Sequence, residues 1–275
     1  MQSARRRERK HSERRPAAGP QTGGTGTASF RFYEELNDFL PPVQRHMRFH
    51  HEFIGRRSVK DMIESLGVPH TEVELILVNG RSVRFSYIVK DGDDISVYPI
   101  FEALDVTPLL RLRPRPLRVT RFVLDAHLGR LARYLRTLGF DTLYRNDYND
   151  DELSRISHDE RRILLTRDVG LLKRSAVTHG CFLRETDPHR QLREIVARLD
   201  LYRAVRPFRR CTRCNGLLTP VAKLHLRGRV KTRILQAFDR FRICRDCQQV
   251  YWKGSHYDRM EQLINELLHQ PAAGL

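Results

Sequence analysis

Two pairs of cysteines constrain this 275-residue chain more than any other feature. Cys211 and Cys214 form one C-x-x-C pair, Cys244 and Cys247 form the other, and no cysteine lies between the pairs. Two such pairs can place four thiolates around one Zn²⁺ ion in a closed tetrahedral site. The spacing therefore predicts a structural zinc ribbon near the C-terminus and a reducing compartment.

The chain also carries a large excess of positive charge. Its formal net charge is +17, from 50 Lys and Arg against 33 Asp and Glu. Residues 207–257, around the cysteines, hold 12 basic and 2 acidic residues, whereas residues 29–104 hold 9 and 12. Such a positive field suits a nucleic acid partner. Because the chain has neither an apolar signal core nor an apolar run long enough for a membrane span, we expect a cytoplasmic protein without membrane contact.

Composition divides the chain into segments. Residues 1–28 are rich in Arg and then in Gly, Thr, Pro and Ala, which predicts a disordered basic tail. Residues 105–118 contain prolines among arginines and predict a linker. Between them, residues 29–104 combine short strands, one helix and an Asn79-Gly80 hairpin turn. This order favours an α+β domain of the β-grasp type, with strands at 29–33, 73–78, 81–87 and 95–99 and a helix at 59–66.

After the linker, strands alternate with helices. Apolar strands are predicted at 122–124, 141–144, 163–166 and 181–183, and leucines recur at helical spacing after the first of them. This alternation is typical of an α/β domain with a parallel sheet over residues 119–206. The zinc ribbon and a C-terminal helix follow over residues 207–268.

Acidic residues lie where these predicted strands end. The first strand runs into Asp125 and the third into Asp168, the pair Asp150 and Asp151 begins the helix between them, and Asp187 follows the fourth strand. Carboxylates gathered at one edge of a parallel sheet would repel one another and favour Mg²⁺ or Mn²⁺. The alternative is that they cap helices or form turns. For Asp150 and Asp151, we expect one residue to be a cap and the other a ligand.

Long stretches of the chain resemble a known family. The runs RFVLDAHLGRLARYLRTLGFDT, DDEL and RRILLTRDVGLLKR, followed by CTRCNGLLTP and FRICRDCQQVYWKGSHYDRM, resemble the Mut-seven-C RNase family, a branch of the PIN-like nucleases with a zinc ribbon. Members often carry a ubiquitin-like domain in front. The run VNG…V…DGDDISVYP resembles such domains, which are related to the small sulfur carriers. The segment does not end in the Gly-Gly of a carrier, so we expect it to dock a protein partner.

The resemblance implies a PIN-like, metal-dependent ribonuclease that hydrolyses RNA. It implies that Mg²⁺ or Mn²⁺ is bound by Asp125, by Asp168 and by one of Asp150 and Asp151, with Asp187 as the fourth acid. Two rival functions stay open. A missing fourth acid would favour a non-catalytic RNA-binding or adaptor protein on a degenerate PIN-like fold, and the third possibility is a chain whose ubiquitin-like domain makes it a docking protein.

Basic and aromatic residues around these two sites are candidates for RNA binding. The candidates for phosphate contact are Arg130, Arg167, Lys173, Arg213 and Arg229. Four aromatic residues are interleaved with the arginines of the ribbon: Phe208, Phe241, Tyr251 and Trp252. They either stack on bases or pack the small core around the zinc knuckles.

Overall fold

The computed structural model describes residues 24–99 and 120–269. The predicted linker, residues 105–118, and most of the predicted tail lie outside the described residues. The first strand begins at Thr25 and pairs with a second strand from its first residue, so the last residues of the segment assigned to the tail belong to a sheet.

The N-terminal domain is a five-stranded sheet with one α-helix, as expected for a β-grasp. Its elements are β1 (Thr25–Phe32), β2 (Phe49–Ile54), α1 (Val59–Ser65), β3 (Val73–Val78), β4 (Arg81–Ser82) and β5 (Asp94–Pro99). The strand order is β2-β1-β5-β3-β4, with β1 and β5 parallel at the centre and every other pair antiparallel. Helix α1 begins after Ser58, whose hydroxyl accepts a hydrogen bond from the Asp61 amide at 3.1 Å.

Two parts of this domain differ from the prediction. Strand β2 was not predicted, because its sequence FHHEFI places polar residues among the apolar ones at an edge of the sheet. Strand β4 contains only Arg81 and Ser82, whereas a strand over 81–87 was predicted. The turn before it is the predicted hairpin turn, with positive φ at both Asn79 (51°) and Gly80 (77°).

The second domain has the predicted parallel sheet. Its elements are β6 (Arg121–Leu124), α2 (Gly129–Thr137), β7 (Asp141–Tyr144), α3 (Asp150–Asp159), β8 (Ile163–Thr166), α4 (Val169–Leu172), β9 (Gly180–Phe182) and α5 (Pro188–Arg198). The strand order is β7-β6-β8-β9 and all pairs are parallel. Helix α2 buries Leu131 and Leu135 completely against the sheet. It ends at Gly139, where φ is 97° and a Cβ would lie 2.1 Å from the Arg206 carbonyl oxygen.

The zinc ribbon and a last helix complete the chain. They comprise β10 (Leu218–Val221), α6 (Thr232–Ala237), β11 (Phe241–Cys244), β12 (Val250–Trp252) and α7 (Ser255–His269). The three strands form an antiparallel sheet in the order β10-β11-β12. Helix α7 returns to the parallel-sheet domain and inserts Ile264 and Leu267 into its core. None of the helices in the described ranges combines the length and apolar character that a membrane span needs.

The N-terminal domain packs against the edge strand β9. Glu72, which is fully buried, accepts a hydrogen bond from the Phe182 amide at 2.6 Å and one from the Arg198 guanidinium at 2.7 Å. The rings of Phe39 and Phe182 meet edge to face at 5.2 Å, and His70 Nε2 lies 2.9 Å from the Val177 carbonyl oxygen. An open sheet edge is therefore covered within the same chain.

Candidate active site and zinc centre

The four cysteines converge as predicted. Their sulfur atoms all lie within 4.8 Å of one another, with 3.5 Å between Cys211 and Cys247 and 3.4 Å between Cys214 and Cys244. A tetrahedral zinc ion with bonds of about 2.3 Å requires sulfur separations of about 3.8 Å. The donor set and its spacing therefore fit Zn²⁺, and four protein ligands leave no open position, as in structural sites.

The two knuckles share one backbone design. Each has a residue with positive φ four positions after its first cysteine, Asn215 at 74° and Gln248 at 60°. In both knuckles the amide of that residue donates to the carbonyl of the first cysteine. These turns aim the backbone amides at the sulfurs, which stabilises thiolates.

One thiol is held in a form that favours zinc. Burial of Cys211 would raise its pKa, but hydrogen bonds from the Tyr251 hydroxyl and from the amides of Cys214 and Arg213 lower that pKa to about 7. The Tyr251 oxygen lies 3.0 Å from the Cys211 sulfur and 3.2 Å from the Thr212 amide nitrogen. Tyr251 therefore orients a zinc ligand from outside the ligand set.

The ribbon joins the parallel sheet at the amino ends of its strands. Asp141, the first residue of β7, accepts hydrogen bonds from Arg162 (2.7 Å) and Asn215 (2.8 Å), and Arg210 lies 3.4 Å away. Burial alone would raise the pKa of Asp141, but the hydrogen bonds from Arg162 and Asn215 lower it. The buried Arg136 adds a second link by donating to carbonyls of β7 and of the first knuckle.

Two predicted acids lie at the opposite, carboxyl edge of the sheet. Asp125 follows β6, Asp168 follows the adjacent strand β8, and both contact the buried Thr166. The Thr166 hydroxyl donates to Asp125 Oδ2 at 2.6 Å and accepts from the Asp168 amide at 2.9 Å. Asp125 also accepts from the Ala126 amide, and Asp168 caps α4 through the Gly170 amide, both at 2.6 Å. Sequence reasoning missed Thr166, although its place between the last buried strand residue and Asp168 was visible.

Asp150 and Asp151, at the start of α3, do not make the capping contact that was predicted for one of them. Asn149 caps this helix in a reciprocal capping box with Glu152, so neither Asp150 nor Asp151 is the cap. The Asn149-x-x-Glu152 spacing is a signal that the sequence offered. Both aspartates instead pair with Arg174, and their side chains are 50% and 88% exposed.

Asp187 is a helix cap in the structure. Its Oδ1 accepts hydrogen bonds from the amides of His189 (3.0 Å) and Arg190 (3.1 Å) at the start of α5. These backbone hydrogen bonds lower the pKa of the Asp187 carboxyl. The residue predicted as fourth metal ligand thus has a structural task at this position.

The structure places Asp125 and Asp168 after adjacent strands at one edge of the sheet, and the other predicted acids at the starts of α3 and α5. Within residues 24–99 and 120–269, the four cysteines are the only group of three or more His, Cys, Asp or Glu residues close enough to hold a metal ion. Asp125 and Asp168 remain a pair of hard oxygen donors. One or two carboxylates are a usual protein contribution to Mg²⁺ sites, where water and substrate phosphates supply the other ligands.

A positively charged pocket opens beside Asp125. Its volume is about 550 Å³, and it is lined by His127, Arg130, Arg133 and Arg167 among others. Arg130 and Arg133 are exposed, whereas Arg167 donates to three consecutive carbonyls of the segment after β9. The exposed guanidinium groups of this pocket can receive an anion.

The remaining predicted RNA contacts lie elsewhere. Lys173 donates its Nζ to the Glu64 carbonyl oxygen of the N-terminal domain at 2.7 Å. In the ribbon, Arg213 is exposed, and Arg229 is exposed while donating to the Gln248 carbonyl at 3.0 Å. The five cations are therefore spread over two ends of the sheet and a domain contact.

Comparison with known proteins gives two matches that coincide with the observed domains. Residues 120–264 match the family model described as Mut7-C RNAse domain, and residues 25–105 match the one described as Mut7-C ubiquitin. No curated protein and no solved structure matches the chain. The first match contains both the carboxylate pair and the four cysteines.

Proposed function

This chain belongs to the Mut7-C RNAse domain family, and from that premise we propose that it is a metal-dependent ribonuclease. The observation that carries the proposal is the pair Asp125 and Asp168, joined through Thr166 at the carboxyl edge of the parallel sheet. Ligand sites of open α/β sheets lie at that edge. The family gives a nuclease-like role; the substrate RNA and the hydrolysis are our inference.

The two carboxylates are the residues that would hold Mg²⁺ or Mn²⁺. When bound, such an ion supplies a water of lowered pKa and neutralises charge on the phosphodiester. Thr166 fixes the orientation of Asp125 by donating to one of its oxygens, and the backbone bonds of Asp168 fix the other carboxylate. Asp150 or Asp151, once released from Arg174, and Asp187 are the candidates to complete the acidic set.

The arginine-lined pocket would hold the phosphates next to the scissile bond. Arg130 and Arg133 present exposed guanidinium groups there, and Arg167 is fixed by its carbonyl contacts. Phosphate contacts of this kind position a nucleic acid strand without reading its sequence. Arg213 and Arg229 would bind the strand further away, on the ribbon, and Lys173 would contribute at the domain contact.

Zn²⁺ has a structural part in this proposal. Its four cysteines would hold the ribbon together and so present the ribbon's positive surface, without contributing to hydrolysis. The ubiquitin-like domain would dock a protein partner.

A second function is favoured by one specific observation. Asp187 caps α5, and Asp150 and Asp151 pair with Arg174, so the third and fourth acids are not assembled with the first two. A non-catalytic RNA-binding or adaptor protein would need no such assembly. It would bind RNA with the salt dependence of phosphate contacts and would not cleave it at any divalent ion.

A cleavage assay separates the two functions. Purified protein is incubated with mixed RNAs in Mn²⁺, in Mg²⁺ and without divalent ions, beside Asp125→Asn and Asp168→Asn. Asn caps helices as well as Asp does, so both variants should keep their fold. We expect each to lower the rate about 100-fold or more through loss of a metal ligand.

The control is Asp159→Asn, an exposed aspartate at the end of α3 outside the site. It should cleave at the wild-type rate. Cleavage that persists undiminished in Asp125→Asn and Asp168→Asn would contradict the proposed site, and RNA binding without cleavage by the wild type would favour the second function.

A further inference from the structure

A groove of about 820 Å³ lies between the zinc ribbon, the segment before it and the start of α7. We call it the ribbon groove. Its lining includes Phe208, Arg240, Phe241, Trp252, Lys253 and Tyr257. The volume is in the range of pockets that bind organic ligands. The groove is far from the carboxylate pair, because Thr137 at the C-terminal end of α2 lines it whereas the acids flank the N-terminal end of that helix.

The aromatic residues of this region divide into two groups. Tyr251 belongs to the small core around the cysteines, and Phe241 is 3% exposed, so these two support the ribbon. Trp252 and Tyr257 are half-buried, and neither belongs to any of the four clusters of buried side chains found in the described residues. Neither ring is committed to one of these cores.

Two pairs of aromatic rings line the groove. Phe208 stacks on Tyr257 with ring centres 4.1 Å apart and planes 26° apart, and its other contacts anchor it to the main core. Trp252 lies 6.4 Å from Phe241, ring centre to ring centre. An anchored aromatic surface of this kind is suited to stacking a further flat ring.

The rim of the groove is positively charged. Arg240 and Lys253 are exposed, and the Lys253 ammonium lies 4.8 Å from the centre of the Tyr257 ring. Asp239 also lines the groove, but it is paired with Lys223 at 2.8 Å. Flat apolar faces bordered by cations match a ligand with flat bases and phosphates.

We propose that the ribbon groove binds single-stranded RNA by stacking unpaired bases on Trp252 and, once the Lys253 ammonium has moved from the ring to a phosphate, on Tyr257, with phosphates at Arg240 and Lys253. Base faces are available for stacking only in unpaired strands, whereas a duplex keeps them inside its own stack. This inference rests on the proposed function, which names RNA as the polymer. It adds that the RNA is single-stranded and that the ribbon groove selects it. The positive rim favours this occupant over an apolar protein segment.

Tryptophan fluorescence tests the proposal directly, because Trp252 is the only tryptophan of the chain. The full chain with zinc bound is titrated with a short oligouridylate and with an RNA duplex of the same length, without other divalent ions. We expect saturable quenching by the single strand and little by the duplex. Tyr257→Ala should weaken binding about fivefold or more, corresponding to at least about 1 kcal/mol per stacked base.

The rim is tested by Arg240→Gln combined with Lys253→Gln. Loss of two phosphate contacts should reduce the slope of log K against log salt by about 1.4 for a single strand. The matched control is Arg227→Gln combined with Arg233→Gln, two exposed ribbon arginines that do not line the groove. It should keep wild-type affinity to within about twofold, a difference of only ~0.4 kcal/mol.

Three results would overturn the proposal: no quenching by the single strand, equal binding of the duplex, or binding that neither the rim variant nor Tyr257→Ala weakens. Because the rim residues are exposed, their variant remains informative if Tyr257→Ala fails to fold. The cleavage assay is read separately. Wild-type cleavage in Mn²⁺ without quenching would contradict only the proposed RNA binding in the ribbon groove. Quenching without cleavage would support binding in the groove and contradict only the proposed ribonuclease activity.

Discussion

Tyr251 is a single side chain on which the zinc centre depends from outside the ligand set. Its hydroxyl lies 3.0 Å from Cys211 Sγ, where it can donate to the thiolate. Groups that hydrogen-bond a metal ligand typically change metal affinity 10- to 100-fold when removed. We expect Tyr251→Phe to weaken zinc binding about tenfold, measured by competition with a chromogenic chelator.

The matched control for this substitution is Tyr202→Phe, in a half-buried tyrosine that packs on the parallel-sheet core. It removes the same hydroxyl far from the sulfurs and should leave zinc affinity unchanged. Equal zinc affinity in Tyr251→Phe and wild type would show that the hydroxyl does not stabilise the bound thiolate.

Some of the candidate site residues could be predicted from the sequence better than others, and the reason is physical. The cysteines were found by spacing because C-x-x-C is a local pattern whose geometry the knuckle turn fixes. Asp125 and Asp168 were placed at one edge because parallel strands bring their ends together. The metal-ligand role of Asp187 stays a prediction, because an acid before a helix has the same local pattern whether it binds metal or caps, and both Asp168 and Asp187 cap helices in the structure.

At the scale of elements, Asp141, the first residue of β7, holds the ribbon against the parallel sheet. Its side chain is 22% exposed, and that of its partner Arg162 is 6% exposed. Asp141→Asn keeps the shape but removes the charge facing Arg162 and Arg210. We expect it to lower the free energy of unfolding by about 2 kcal/mol near pH 7, measured by denaturant titration.

The same contact predicts a dependence on pH. The pKa of Asp141 in the folded state is lowered, so its stabilisation is complete above the unfolded value near 3.9 and is lost as pH falls through the folded pKa. The difference in unfolding free energy between wild type and Asp141→Asn should therefore narrow below about pH 4.

Asp147→Asn is the control for this pair of experiments. Asp147 also accepts from an arginine, Arg145, but both side chains are more than half exposed. Exposed pairs contribute at most about 1 kcal/mol, so this variant should be close to wild type. A difference between wild type and Asp141→Asn that stays constant down to pH 3 would contradict the assigned role.

Prediction of the elements succeeded for the buried strands and failed for the edge strand β2. Strands β3 and β8 have the predicted bounds because their apolar runs end at turn or charged residues, and the edge strand β7 has its predicted bounds as well. Strand β2 lies at the edge of its sheet, and its pattern of alternately half-buried and exposed residues mixes His and Glu with apolar side chains. A strand that need not bury both faces leaves a weak pattern in the sequence.

At the scale of the whole molecule, the ribbon and the acids occupy opposite ends of one sheet. The ribbon contacts Asp141 at the amino edge, whereas Asp125 and Asp168 lie at the carboxyl edge, about 13 Å away for four-residue strands. This placement depends on Asn215 and Arg210, whose long-range partners no local pattern indicates. An RNA held by the ribbon would have to extend along the sheet to reach the acids.

The contact between the ubiquitin-like domain and the edge of the parallel sheet gives the last prediction. Glu72 is fully buried there and faces the guanidinium groups of Arg198 (2.7 Å) and Arg184 (3.7 Å). Glu72→Gln removes the one fully buried carboxylate of this contact, and although Asp38, Glu35 and Glu194 still lie near the two arginines, the change should cost about 2 kcal/mol. We expect the domains to separate, so that calorimetry shows two unfolding transitions and the Phe182 amide exchanges faster with deuterium.

The control, Glu52→Gln, makes the same chemical change at an exposed position of β2 on the same domain. It should leave both the unfolding profile and the exchange of Phe182 as in wild type. Because Lys173 reaches the Glu64 carbonyl across the same contact, separation in Glu72→Gln should also free its ammonium and raise RNA affinity slightly. A single transition and unchanged exchange in Glu72→Gln would mean that the apolar contact of Phe39 with Phe182 holds the domains together without the buried charges.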